Sequence, residues 1–269
     1  MLPTFLAQLA AGSGIAVGLG EIRKVNWRYL RLMAIVSMAI AMLALLLVVR
    51  ETLAEEAARR QSAMIALIAA CALGGIWLFV NAAQGESIRN GQRWWPILFG
   101  VAAMAGAILL AIGPDVVLAE GEAAVSTHRA LAAGSIILGA GLLGSATAAM
   151  LLGHRYLTDT GMPISPLKKM TQVYLALVAA RGVWIIAASY PLWSGSFAPR
   201  GGYMWFWLMV SVRFGIGLVG TAVFAWMIWD CVKRRATQSA TAIFYLSMIF
   251  IFLGELSGQY LLRTESLAM

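Results

Sequence analysis

The feature that most constrains this chain is a succession of eight long apolar runs, at roughly 2–20, 29–49, 63–82, 94–112, 130–152, 170–192, 203–229 and 240–262. Several approach or exceed the ~18 residues needed to cross a bilayer as a helix. In hydrocarbon each backbone polar group must be satisfied within its own segment, so such runs fold as helices. The sequence therefore predicts an all-α, polytopic membrane bundle of about eight transmembrane helices, forming a single domain over residues 1–269. Charged residues make up only 12% of the chain and hydrophobic residues 61%. A soluble domain carries about 25% charged residues, so composition excludes that class. No connection is large enough for a soluble domain; the longest are expected at 113–129 and 153–169. The first run has no basic residue before Arg23, which predicts a retained helix rather than a signal peptide.

The formal charge of +8 does not point to nucleic acid, because the basic residues collect in short loops. The first, third, fifth and seventh loops carry Arg23, Lys24, Arg28 and Arg31, then Arg89 and Arg93, then Arg155, Lys168 and Lys169, then Lys233, Arg234 and Arg235. The even loops carry Arg50, Arg59 and Arg60, then Arg129, then Arg200. The positive-inside bias predicts odd loops in the cytoplasm and both termini outside. The bilayer is one expected partner, with the bacterial inner (cytoplasmic) membrane as the expected location.

Three runs hold an ionisable residue that is costly in oil: Arg181, Arg213 and Glu255. Helix rise places Arg181 about 16 Å in from the cytoplasmic side and Arg213 about 15 Å down from outside. Glu255 comes about 22 Å up from the inside. Their similar depth predicts one shared polar region facing the bundle interior. One carboxylate neutralises one guanidinium, so the second arginine needs another acceptor, from backbone carbonyls or a ligand oxygen.

Small residues are expected to pack helices closely, notably Gly14 and Gly18 in the first run and Gly134, Gly139, Gly141, Gly144 and Ser145 in the fifth. Trp94, Trp95, Tyr190, Trp193, Tyr203, Trp205 and Trp207 sit at run ends, as interfacial aromatics do. His128 and His154 lie 26 residues apart. That is about 39 Å on one helix, too far to ligate one haem. No haem or metal is predicted within the chain, and Cys71 and Cys231 form no CxxC. His154 and Tyr156 open a loop broken by Pro163 and Pro166, a candidate proton relay or partner-docking site.

Eight spans in under 300 residues, closing on Gly254-Glu255-Leu256-Ser257-Gly258-Gln259-Tyr260-Leu261, resemble the membrane-anchor family of dimethyl-sulfoxide, polysulfide and nitrite reductases. The closing pattern there is E-x-x-G-R-x-L, and Gln259 stands where arginine is usual. The family's His-Leu-Gly-type motif near the second or third helix is absent. The resemblance implies a subunit that binds menaquinol or ubiquinol and passes electrons to an iron–sulfur partner, in many members without its own haem.

Together these readings predict a membrane-embedded subunit of a respiratory or photosynthetic electron-transfer complex, binding quinone near helices six to eight and docking an iron–sulfur or cytochrome protein. As an enzyme it would be at most a quinone-interacting oxidoreductase subunit. Glu255 would be catalytic, handling the proton, with Arg181, Arg213 and Tyr260 as ligand-binding residues. Two alternatives are a transporter for a small anion clamped by Arg181 and Arg213, and a non-catalytic scaffold subunit whose three charges lock helices together.

Overall fold

The computed structural model describes residues 1–20, 25, 27–52, 57–83, 94–112, 122–158, 163–194, 199 and 202–269. Among them every regular element is helical, and eight helical stretches are long and apolar enough to cross a membrane. The first four are α1 (Leu2–Leu19), α2 (Trp27–Thr52), α3 (Ala57–Ala83) and α4 (Trp94–Ala111). They are followed by α5 (Glu122–Thr158), α6 (Ser165–Ala188) and the single turn α7 (Tyr190–Trp193). The seventh span is composite: α8 (Tyr203–Ser211), a π-helical stretch π1 (Val212–Gly220) and α9 (Thr221–Lys233). The last helix is α10 (Thr237–Thr264). The basic loop residues Arg23, Lys24, Arg89, Arg93 and Arg200 lie outside the described residues.

Two connections differ from the sequence expectation of long links at 113–129 and 153–169. Helix α5 begins at Glu122 and continues to Thr158, and α6 begins at Ser165. The apolar run marks how much helix is greasy, not where helix stops. Glu122–Ala130 is rich in alanine, a strong helix former, so α5 extends well past its hydrophobic limit. At 37 residues it is about 55 Å long, against a hydrocarbon core of about 30 Å. Pro166 sits in the first turn of α6, where a missing N–H costs nothing.

Helix α1 packs against α2, α4 and α5, and α10 packs against α5, π1 and α9. Helix α5 thereby joins an N-terminal group of helices to a C-terminal one. Residues Thr4–Gly18 of α1 are almost all buried although α1 is the least hydrophobic of the spans. Its small residues explain this placement. A Cβ on Gly12 would lie 1.7 Å from Ala140 O, and one on Gly144 would lie 1.8 Å from the Gly12 carbonyl carbon. Backbones of α1 and α5 thus touch directly. Gly14 does the same towards α4, where a Cβ would meet Pro96 O at 2.8 Å. At one end of the bundle the rim aromatics Tyr190, Trp193, Tyr203 and Trp205 stand exposed.

The α1–α5 crossing yields a direct test. Gly144→Ala is expected to destabilise the bundle by about 1–3 kcal/mol or more, because the neighbour is backbone and cannot rotate away. Gly75→Ala in α3, whose Cβ would meet nothing within 4 Å, is expected to leave stability unchanged or slightly raised. Detergent-unfolding midpoints of the two variants measure the difference, and equal midpoints would discount the crossing.

Candidate functional site

Arg181, Arg213 and Glu255 come from three elements, α6, π1 and α10, and the structure brings them into one cluster. Each is at most 3% exposed. Arg181 meets the carboxylate in a fork: Nε donates to Oε1 at 3.0 Å and Nη2 to Oε2 at 2.8 Å. Its third nitrogen, Nη1, donates to Ser135 Oγ on α5 at 3.0 Å. Arg213 approaches from the other side. Its Nη1 donates to Glu255 Oε1 at 3.1 Å and also to the Gly254 carbonyl. Its Nη2 donates to the main-chain oxygen of Met269 at 2.8 Å. Ser135 Oγ donates to the same oxygen at 3.0 Å.

This answers the charge question posed by the sequence. Glu255 takes three N–H groups from two guanidinium groups. The remaining guanidinium N–H groups go to the Ser135 hydroxyl, the Gly254 carbonyl and the main-chain oxygen of Met269. Among the described residues Arg213 Nε, which is buried, has no hydrogen-bond partner.

The glycines around Glu255 make the cluster sterically possible. A Cβ on Gly258 would sit 2.8 Å from the Arg213 guanidinium carbon, so the guanidinium lies in the groove that this glycine leaves. A Cβ on Gly139 of α5 would be 2.4 Å from Glu255 Oε2 and 3.0 Å from Gln8 Nε2. Gly254 and Gly217 face each other across α10 and π1, with each hypothetical Cβ within 2.7 Å of the other's Cα. The stretch Gly254-Glu255-Leu256-Ser257-Gly258-Gln259 is therefore one device: two glycines admit the partner helix and the arginine, and the acid between them pairs.

A second polar layer flanks the triad. The carboxamides of Gln259 and Gln8 hydrogen-bond each other, and Gln8 Nε2 also reaches Ile136 O at 3.1 Å. One turn further along, Arg263 Nη2 donates to Thr4 Oγ1 at 2.8 Å. Glu255, Gln259 and Arg263 are spaced i, i+4, i+8, which puts them on one stripe of α10, and its last two members meet α1.

The other candidates do not join the cluster. Tyr260 lies about 140° around α10 from Glu255, packed among residues such as Phe206, Val210 and Leu261. His154 is exposed near the end of α5, and Tyr156 is buried with its hydroxyl on Pro163 O. Both lie at least 15 residues, about 22 Å, along α5 from Gly139, the residue that touches Glu255. They belong to the helix end rather than to the loop the sequence suggested. Sequence reasoning missed Ser135, Gln8 and Met269. The α10 stripe could have flagged Gln259 and, by its need for a partner, a polar residue on a facing helix.

Comparison with protein-family models, with curated proteins and with solved structures finds no match for this chain.

Breaking a buried ion pair by removing one partner costs about 3–5 kcal/mol, because an uncompensated charge remains. Glu255→Met is expected to lose that much, leaving two guanidinium groups face to face. The triple variant Arg181→Met/Arg213→Met/Glu255→Met is expected to recover more than half of the loss. Unfolding titrations in mixed micelles read both; a single variant with the native midpoint would show that the triad does not hold the helices.

Proposed function

We propose that this chain is a membrane-embedded subunit of an electron-transfer complex that receives a quinone headgroup beside the Arg–Glu–Arg cluster. The supporting observation is a pair of donors converging on one main-chain oxygen in a buried setting: Arg213 Nη2 at 2.8 Å and Ser135 Oγ at 3.0 Å from Met269 O. A quinone asks for an apolar slot and one or two placed donors on its carbonyl. The side chains packed around Met269, including Phe206, Val210, Phe214 and Leu261, supply the apolar part.

In this reading the two arginines have different jobs. All three nitrogens of Arg181 are committed to Glu255 and Ser135, so Arg181 positions the others. Arg213, whose Nε has no hydrogen-bond partner among the described residues and whose Nη2 meets the main-chain oxygen of Met269, is the ligand-binding arginine, and Ser135 is its companion. Glu255, which accepts three guanidinium N–H groups, orients both arginines; we assign it that role in place of the proton handling expected from sequence. The positive-inside bias puts both termini outside the bacterial inner membrane. The resemblance to the reductase anchors supports an iron–sulfur or cytochrome partner.

A second reading is favoured by Gly139 and Gly258, which are shaped to the charges themselves. Under it the triad is a lock that fixes helix register in a scaffold subunit.

The two readings part on Ser135→Ala and Arg213→Gln in the assembled complex. Loss of a hydrogen bond from a neutral hydroxyl costs about 0.5–1.5 kcal/mol, and from a charged donor about 1.5–3 kcal/mol. The quinone reading therefore expects KM for decylubiquinol to rise roughly 3–10-fold in the first variant and tenfold or more in the second. Unchanged quinol oxidation per assembled complex in both, with only the yield of complex reduced, would sink the quinone reading and leave the lock.

A further inference from the structure

Of the eight spans, the seventh is the least covered by its neighbours. Its open side is not uniform. Leu218, Val219, Ala222, Val223 and Trp226 line a shallow apolar groove of about 550 Å³. The groove runs about 12 Å along the span, from the end of π1 into α9. Towards the end of α9 the same stripe changes character. Ala222, Trp226, Trp229 and Lys233 are spaced i, i+4, i+7, i+11, so they follow one face of the helix. The Lys233 ammonium is turned back over the Trp229 ring, 5.9 Å from its centroid. The negative face of the ring attracts it there, at the level where the apolar stripe gives way to charge.

The corner that follows carries an arginine where glycine is usual. Helix α9 ends in a Schellman turn, in which Ala236 N donates to Cys231 O at 2.9 Å and Arg235 N to Val232 O at 3.2 Å. Arg235 takes the left-handed position of that turn, with φ 59°. The conformation is strained for a residue with a Cβ, and glycine would relieve it. Lys233, Arg234 and Arg235 are all exposed. Asp230 meets the first two at 3.8 and 2.8 Å, on the surface, where such pairs are weak. Lys168 and Lys169, exposed at the start of α6, lie at the same end of the bundle, since α6 packs against α9 and successive spans run in opposite directions. Across residues 163–170 and 230–240, five basic side chains stand against one acid.

We propose that this face binds one anionic phospholipid: an acyl chain lies in the groove, and the phosphate sits at the α9–α10 corner on Lys233, Arg234 and Arg235. The groove is apolar and open to the surrounding hydrocarbon, which suits a chain rather than a soluble ligand. A site for hydrocarbon alone would not need a charged end to the same stripe. A second copy of the chain fits poorly, because parallel copies in one bilayer would bring two basic corners to one level, like against like. The positive-inside bias places the corner at the cytoplasmic leaflet, which carries anionic lipid. Each basic residue near such a surface strengthens the attraction about fivefold. The site lies on the open side of the seventh span and does not depend on the quinone reading.

The test is native mass spectrometry of the purified, delipidated full chain in detergent, titrated with dioleoylphosphatidylglycerol or dioleoylphosphatidylcholine. The phosphatidylglycerol is expected to bind about tenfold tighter or more. Lys233→Gln/Arg234→Gln/Arg235→Gln is expected to remove that preference and leave phosphatidylcholine binding as it was, which also shows that the variant is folded. Ala222→Trp fills the groove and is expected to weaken both lipids. Arg235→Gly separates binding from structure. It is expected to raise the thermal midpoint by relieving the turn, yet to weaken phosphatidylglycerol binding about threefold or more. Equal affinity for the two lipids, or a preference that survives the triple variant, would overturn the site. So would displacement of the phosphatidylglycerol by millimolar inorganic phosphate with no effect of Ala222→Trp, since the corner would then hold an ion and not a lipid.

Discussion

The ion triad Arg181–Glu255–Arg213 is the constraint from which the C-terminal half of the bundle follows. Three charges are removed from water, and each loses several kcal/mol of solvation even after relaxation. Only short, well-directed hydrogen bonds offset such a cost. That requirement fixes distances between α5, α6, π1 and α10, because the donors and acceptors come from all four. Close approach in turn demands small residues at the crossings. Gly139, Gly217, Gly254 and Gly258 stand where a methyl group would strike a guanidinium, a carboxylate or a neighbouring backbone. Glycine weakens a helix interior by about 0.5–1 kcal/mol relative to alanine, so this clustering is costly to helix propensity and is offset by the packing it permits.

The π-helical stretch belongs to the same construction. Short π-bulges in α-helices are often found at functional sites, and π1 carries Arg213 as its second residue. Nine residues in this form reset which side chains of the seventh span face α10. Arg213 meets Gly258, and Gly217 meets Gly254. Thr221 Oγ1 bonds Ile216 O at 3.5 Å, five residues back, where the α-helix resumes. No proline is involved, since residues 203–233 contain none.

The meeting of the three charges was legible in the sequence, and the rest of their neighbourhood was not. Helix rise and alternating topology suffice to bring Arg181, Arg213 and Glu255 to one level, because both quantities are set by backbone geometry alone. The eight helical runs were readable for the same reason. What hydropathy cannot give is lateral order. Helix α1, the least hydrophobic span, became the most buried because its value lies in small and polar residues, Gly12, Gln8 and Ser13, that only an adjacent helix can use. Ser135 escaped notice because a serine in a membrane helix normally satisfies its hydroxyl on its own backbone. Ser145 does so on Leu142 O, and nothing local distinguishes the two. Tyr260, five residues on from Glu255, is turned to another face of α10, among the apolar side chains around Met269.

The polar groups around the triad are not symmetric, and the asymmetry bears on which side could do chemistry. Towards α1, the contacts Gln259–Gln8 and Arg263–Thr4 pair side chains on two antiparallel helices in matched register. Each partner there is held by a full helical backbone, so releasing one means moving a helix. Towards α8 the situation is different. Arg213 Nη2 and Ser135 Oγ are satisfied by the backbone of a five-residue segment outside any helix, fixed by a turn, a histidine contact and a few apolar side chains. A site that must bind and release something at fixed depth is better built on such a contact than on a helix–helix register. Under the proposed quinone reading, the arginine that faces it, rather than the one forked onto Glu255, is therefore the residue that meets the ligand.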